Sequence, residues 1–183
     1  RIVMAVPIAA EWGEAMEKRF GFKFMQGYGM TEVNLPCYTS VEDPLLPGMA
    51  GHVLDDFFEV QVVNAKTDVP VPQGEIGEIV VRPKVPSCFN QGYYRMPEIT
   101  VEAWRNLWFH SGDAGRFDEQ GRLYYADRIK DRIRRRGENI SSFEIEQVLN
   151  DHPDVNESAV VGIRVEGAGG EDEVKAYIVT DGG

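Results

Sequence analysis

Gln26-Gly-Tyr-Gly-Met-Thr-Glu32 packs glycine, an aromatic ring, a hydroxyl and a carboxylate into seven consecutive positions. Each type has a use beside a phosphorylated ligand. Gly27 and Gly29 let backbone come close to a phosphate, Tyr28 offers a stacking face, Thr31 can donate to a phosphoryl oxygen, and Glu32 can hold a hard cation through oxygen. The same residue types also make an ordinary glycine-bounded turn. Trp108-Phe-His-Ser-Gly-Asp113 ends on a carboxylate able to accept two hydrogen bonds from vicinal hydroxyls, with Arg128 following Gly121-Arg-Leu-Tyr-Tyr-Ala-Asp127. Singly, such residues are also common surface charges. Between Arg128 and Arg136 six basic residues meet one acid, a patch suited to a phosphate-rich ligand or nucleic acid, or to a solvated strand edge with Ile129 and Ile133 turned inward.

The elements that must position these residues follow from periodicity. IVMAVP reads as a strand, AEWGEAMEKRF as a helix with Trp12, Met16 and Phe20 on one face and Gly21 as its cap, and Lys23–Gln26 as a second strand. A strand–helix–strand unit implies the end of a parallel α/β layer, with GYGMTE as a loop at the carboxyl edge where such sheets bind ligands. From Val41 to Asp127, proline and glycine punctuate short runs such as FFEVQVV, GEIVV and RLYYAD, with one helical segment, PEITVEAW. FDEQGRLYY has the form of a hairpin. Ser141-Ser-Phe-Glu144 forms a capping box opening a helix with Ile145, Val148 and Leu149 on one face, and strands follow at Ala159–Ile163 and Val174–Val179.

Composition bounds the function. The 183 residues are 43% hydrophobic and 27% charged, and no apolar run is long enough to span a bilayer. A net charge of -11 disfavours general binding to nucleic acid or anionic membranes. Two distant cysteines, Cys37 and Cys88, indicate neither a disulfide framework nor a zinc site, and point to a reducing, cytoplasmic setting. A start without Met and a finish on Asp181-Gly-Gly suggest a piece of something longer.

It is the order of the motifs that identifies them. GYGMTE, then GEIVV, GYY, PEIT, WFHSGD and GRLYYADRIKDRIRRRGENISSFEIE resemble, over nearly the whole chain, the adenylate-forming superfamily of acyl-CoA synthetases, peptide-synthetase adenylation domains and beetle luciferases. RRRGENISSFEIE is most similar to acyl-CoA ligases of the carnitine/crotonobetaine-CoA ligase type. The resemblance implies a mixed α/β architecture. Residues 1–129 would be the C-terminal part of a large AMP-binding domain, with 1–42 an α/β layer and 43–127 a β-rich subdomain. Residues 130–183 would begin a small, incomplete α+β C-terminal domain after a hinge at Lys130.

The resemblance also implies roles. Tyr28 lies against adenine, Thr31 binds the α-phosphate and Glu32 holds Mg²⁺, so Thr31 and Glu32 belong to catalysis. Gly27 and Gly29 shape the loop, Asp113 binds ribose, and Arg128 lies near ribose and phosphate. Gly137 lines a pantetheine tunnel after domain rotation, and Arg134, Arg135 and Arg136 meet CoA phosphates. The implied partners are ATP/AMP, Mg²⁺, a small carboxylic acid and CoA. The alternatives are a carrier-protein thiol or oxygen as acceptor, or a catalytically inactive nucleotide-binding fragment. The family's phosphate loop and catalytic lysine find no counterpart, Lys175 sitting in a strand pattern, so the isolated fragment is expected to be inactive.

Overall fold

The computed structural model describes residues 1–6, 10–129, 133–135, 138–164 and 172–180. Contacts divide the chain into two units, Arg1–Ala126 and Asp127–Gly183. The first unit opens with β1 (Ile2–Met4), α1 (Ala10–Phe20) and β2 (Lys23–Met25), and β1 and β2 pair in parallel with Ile2 opposite Lys23. The strand–helix–strand unit is therefore present, closed by the Gly21 amide donating to Glu17 O at 3.0 Å. Trp12, Met16 and Phe20, read onto one helical face, are 44%, 36% and 57% exposed. Trp12 still meets Phe24 edge-on at 5.8 Å.

The remaining strands of this unit are β3 (Gly27–Met30), β4 (Asn34–Tyr38), β5 (Met49–Val53), β6 (Phe58–Val63), β7 (Gly77–Pro83), β8 (Trp104–Arg105), β9 (Trp108–Phe117) and β10 (Leu123–Arg128), the last two residues of which fall in the second unit, with α2 (Pro97–Ala103) preceding β8. They form one sheet in the order β3-β4-β5-β10-β9-β7-β6, and β8 pairs with β9. Sheet-forming residues explain the strands: Val60, Val62, Ile79 and Val81 are β-branched and pack with Phe58, Phe109 and Leu123 into the core. Phe89, Trp104 and Phe109 add a ring cluster with centroids 5.1 to 6.1 Å apart. The turn joining β9 to β10 is closed by Asp118, whose Oδ1 accepts the amides of Gln120 at 3.0 Å and Arg122 at 2.8 Å.

The second unit holds β11 (Ile133–Arg135), β12 (Glu138–Ile140), α3 (Ser142–Asn150), β13 (Glu157–Arg164) and β14 (Asp172–Val179). β11 pairs with β12, and β13 with β14, both antiparallel. Ile133 is fully buried, as the inward-facing reading of the basic run requires. Ile145 and Leu149 on α3 are half-buried, whereas Val148 is 73% exposed.

The N-terminus of α3 is served by a residue outside the expected box. Asp127 Oδ2 accepts the Ser142 amide at 3.1 Å and the Ser141 hydroxyl at 3.0 Å, while Oδ1 accepts the Arg128 amide at 2.7 Å. A carboxylate there satisfies orphan amides and meets the positive end of the helix dipole. Asp127→Ala is expected to speed hydrogen exchange in the first turn of α3 about fivefold, the equivalent of ~1 kcal/mol of cap energy. Unchanged exchange rates would return the cap to Ser141 and Glu144.

Candidate functional site

GYGMTE forms a hairpin rather than a loop. β3 runs into a turn over Thr31–Val33, closed by the Val33 amide on Met30 O at 3.1 Å, and returns as β4 with Gly27 opposite Tyr38 and Tyr28 opposite Cys37. The reason is steric. A Cβ on Gly27 would sit 2.9 Å from Cys37 O and from Leu35 Cδ1, and one on Gly29 would collide with Asn34 O. Only glycine lets the two backbones approach this closely. Asn34 turns the chain at φ 60°, a conformation asparagine tolerates, and its Nδ2 donates to Cys88 O at 2.7 Å.

The strand places Tyr28 in the core, 6% exposed, with its ring 6.4 Å from that of Tyr125 at an interplanar angle of 26°. Its hydroxyl donates to Asp113 Oδ2 at 2.9 Å. Residues 85 positions apart are thus joined by a buried hydrogen bond. Burial above all, and then the neighbouring Asp113 charge, push the Tyr28 phenol far above its ordinary range, so it stays a donor. The sequence reading assigned the ring to a purine and did not anticipate the hydroxyl's link to the carboxylate. Cys37, on the facing strand, is likewise buried, and its thiol is pushed up to about 12, chiefly by desolvation.

Asp113 reaches Tyr28 from a bulge. Along β7 and β9, Glu78 faces Ala114 and Val80 faces His110, so β9 carries Ser111, Gly112 and Asp113 where β7 carries Ile79 alone. Gly112 takes φ 72°, which glycine adopts freely. Ser111 Oγ donates to Ile79 O at 2.6 Å and accepts the Asp113 amide at 3.1 Å, replacing ladder bonds that the bulge removes.

Within the turn, Thr31 is exposed and Glu32 half-buried. Glu32 Oε1 accepts the Tyr93 hydroxyl at 2.9 Å, and Glu32 O accepts the Asn90 amide at 2.9 Å. Tyr93 is a site neighbour that residue reasoning missed; the Gly92-Tyr-Tyr94 triplet, used above only as a motif marker, was its signal. Arg128 lies in the second unit and is exposed. Lys130, Arg136 and Gly137 lie outside the described residues, and of Arg134 and Arg135 only the strand is described.

Among the described residues no three His, Cys, Asp or Glu side chains converge on a metal site. A single carboxylate such as that of Glu32 is compatible with a magnesium ion, which takes only one or two carboxylates when phosphate oxygens and water supply the rest. No helix among the described residues is long and apolar enough to cross a membrane.

Glu78, 5% exposed, anchors a charged cluster beside the bulge, with Arg105 Nη2 3.1 Å from Oε2. Arg105 Nε in turn donates to Asp68 at 3.1 Å. The Arg105 bond holds Asp68 below its ordinary value of 3.8. Such a group adds stability that is fully present above the unfolded value and lost as pH falls through the lowered folded one. In Asp68→Asn, the acid-side decline of the melting temperature is expected to be shallower than in the parent, with a lower plateau at neutral pH. Parallel acid limbs would remove Asp68 from the account.

A 2-succinylbenzoate–CoA ligase of Bacillus mycoides is 42% identical over 166 residues, 89% of this chain and 32% of that protein. The crotonobetaine/carnitine–CoA ligase of Salmonella typhi is 32% identical across the whole chain, which covers 35% of its length. The chain thus spans about a third of the length of the curated relatives it matches. In three dimensions it is similar to O-succinylbenzoate coenzyme A synthetase of Bacillus subtilis in complex with AMP, with a TM-score of 0.83 and 30% identity over 98% of this chain and 36% of that one. The family model described as AMP-binding enzyme matches residues 1–94, the half of the chain that holds the Tyr28 hairpin, and so this chain belongs to the AMP-binding enzymes.

Proposed function

We propose that the chain supplies the nucleotide site of an ATP-dependent acid–thiol ligase. In the first step a carboxylate oxygen attacks the α-phosphorus of ATP, the bond to the β-phosphate bridging oxygen breaks, and acyl-AMP and pyrophosphate form. In the second, the CoA thiol loses its proton and attacks the acyl carbon, and AMP leaves with the carboxylate-derived oxygen. The observation that carries the reading is the buried Tyr28–Asp113 pair at 2.9 Å, in which the bulge fixes a carboxylate suited to vicinal ribose hydroxyls. CoA as acceptor is supported by the CoA ligases among the relatives.

In this reading Asp113 orients the ribose and the Tyr28 hairpin holds the base and sugar in register. Thr31 donates to the α-phosphate, and Gly27 and Gly29 keep the hairpin thin enough for the ligand to pass. Glu32, steadied by Tyr93, holds Mg²⁺, which when bound neutralises charge on the phosphates. Arg128 adds a cation near ribose and phosphate. These groups accelerate the reaction by positioning and charge stabilisation, with no covalent enzyme intermediate. Lys130 would be the hinge between residues 1–129 and 130–183, with Gly137 lining the pantetheine path and Arg136 meeting CoA phosphate.

The reading is tested in the intact protein with a panel of carboxylic acids, first by acid-dependent ATP–pyrophosphate exchange and then by thioester formation. Exchange with one class of acid, followed by thioester only when CoA is added, is the expected result. Transfer to a carrier-protein thiol but not to CoA would change the acceptor, and no acid-dependent exchange across the panel would overturn the adenylation itself.

A further inference from the structure

A carboxylate as deeply buried as Glu78 costs several kcal/mol unless its oxygens are matched by donors, and here each oxygen has them. Oε1 accepts the Gly112 amide at 3.2 Å. Oε2 meets His110 Nδ1 at 3.0 Å and Arg105 Nη2 at 3.1 Å. A carboxylate has only lone pairs to offer, so this contact is a hydrogen bond in the imidazole tautomer that carries its proton on Nδ1. The two oxygens differ in what they serve. Oε2 is clamped from the sides by two side chains, one of which, Arg105, is itself held by Asp68. Oε1 points at backbone, on the residue immediately before Asp113.

We propose that Glu78 is a positioning residue for Asp113: clamped by His110 and Arg105, it grips the Gly112 amide and locks the Ser111–Asp113 bulge in the conformation that aims the Asp113 carboxylate. This rests on the reading of Asp113 as the ribose acceptor. The physical need is plain. A bulge frees backbone groups and adds twist, so without side-chain partners the chain between His110 and Ala114 has several conformations open to it. Ser111 secures the Ile79 carbonyl and the Asp113 amide, and Glu78 secures the remaining amide between them. Glutamine in place of Glu78 has one acceptor oxygen instead of two. Its amide nitrogen must face either Gly112 N–H or the His110 and Arg105 donors, donor against donor, so the grip weakens without loss of volume.

The test reads the ribose contact itself in the intact protein, as the ratio of the Kd for 2′,3′-dideoxy-ATP to the Kd for ATP. Dideoxy-ATP lacks the hydroxyls that Asp113 would accept from, whereas base and phosphates are unchanged. The parent is expected to show a ratio of roughly tenfold or more, as for charge-assisted hydrogen bonds, and Asp113→Ala a ratio near one. Glu78→Gln is expected to lower the ratio about threefold and Glu78→Ala to bring it close to that of Asp113→Ala, with thermal melts confirming folded protein. Should Glu78→Ala not fold, the isosteric Glu78→Gln decides.

A purely structural role lowers melting temperature and leaves the ratio alone. A parental ratio in folded Glu78→Gln and Glu78→Ala, beside a ratio of one in Asp113→Ala, would therefore overturn the proposal and leave Asp113 in place. If Glu78→Ala does not fold, a parental ratio in Glu78→Gln alone does so. A parental ratio already near one, or one unmoved by Asp113→Ala, would instead sink the ribose reading and the proposal with it.

Discussion

Asp113→Ala in the intact protein is expected to weaken ATP binding roughly tenfold or more and to lower stability by about 1–3 kcal/mol at the same time. The affinity loss follows from removing a charge-assisted acceptor. The stability loss follows from the Tyr28 hydroxyl, which donates to Asp113 at 2.9 Å in the core and would be left buried without that acceptor. The two effects separate in other variants. Asp113→Asn keeps an oxygen for Tyr28 and should recover most of the stability but little of the affinity. Tyr28→Phe removes donor and need together, and should restore melting to near that of the parent in the Asp113→Ala background, a non-additivity that marks direct contact. Calorimetric ATP titration and thermal melts measure both quantities. Parental affinity in Asp113→Ala would remove the residue from the nucleotide site.

Gly29→Ala is expected to be the most damaging single-methyl change in the hairpin. The added Cβ would collide with Asn34 O and lie 3.0 Å from Leu35 Cα, and both are backbone atoms that cannot swing aside as a side chain can. Overpacking of this kind costs about 1–3 kcal/mol. Relief requires β3 and β4 to part, and the turn between them carries Thr31 and Glu32. The Glu32–Tyr93 bond, 2.9 Å in the parent, is then the first site contact to lengthen. Acid-dependent pyrophosphate exchange should fall further than the folded fraction alone accounts for, because positioning is lost as well as protein. Exchange that tracks the folded fraction would confine Gly29 to a packing role.

Local pattern carried the opening strand–helix–strand unit, the β-rich middle and the last two strands, because each is an apolar run bounded by Gly or Pro. It did not carry the exposure of Trp12, Met16 and Phe20, since a helix's period reveals a face and says nothing of what covers it. GYGMTE was read as a loop from its glycines; the structure uses Gly29 for close strand approach, a constraint set by Asn34 five positions on. The same holds for Asp127. Its place at the head of α3 depends on a contact 15 positions away, which no capping pattern contains. At the site, residue type and spacing singled out Tyr28, Glu32 and Asp113 as candidates. Their mutual geometry, with the hydroxyl of Tyr28 on Asp113 and that of Tyr93 on Glu32, belongs to the register of separate strands and loops and was not legible. Glu78 escaped for the same reason: Gly77-Glu-Ile-Val-Val81 looks like any strand until the bulge in β9 brings Gly112 over it.

The central claim is that a carboxylate oxygen is transferred to the α-phosphate of ATP. Intact protein is incubated with ATP, CoA and an acid substrate labelled with ¹⁸O in its carboxylate, and the products are weighed by mass spectrometry. The account predicts unlabelled pyrophosphate and AMP carrying one ¹⁸O atom, the oxygen that leaves with AMP when the thiol attacks the acyl carbon. Label in inorganic phosphate alongside ADP would contradict it, and so would thioester formed with AMP free of label.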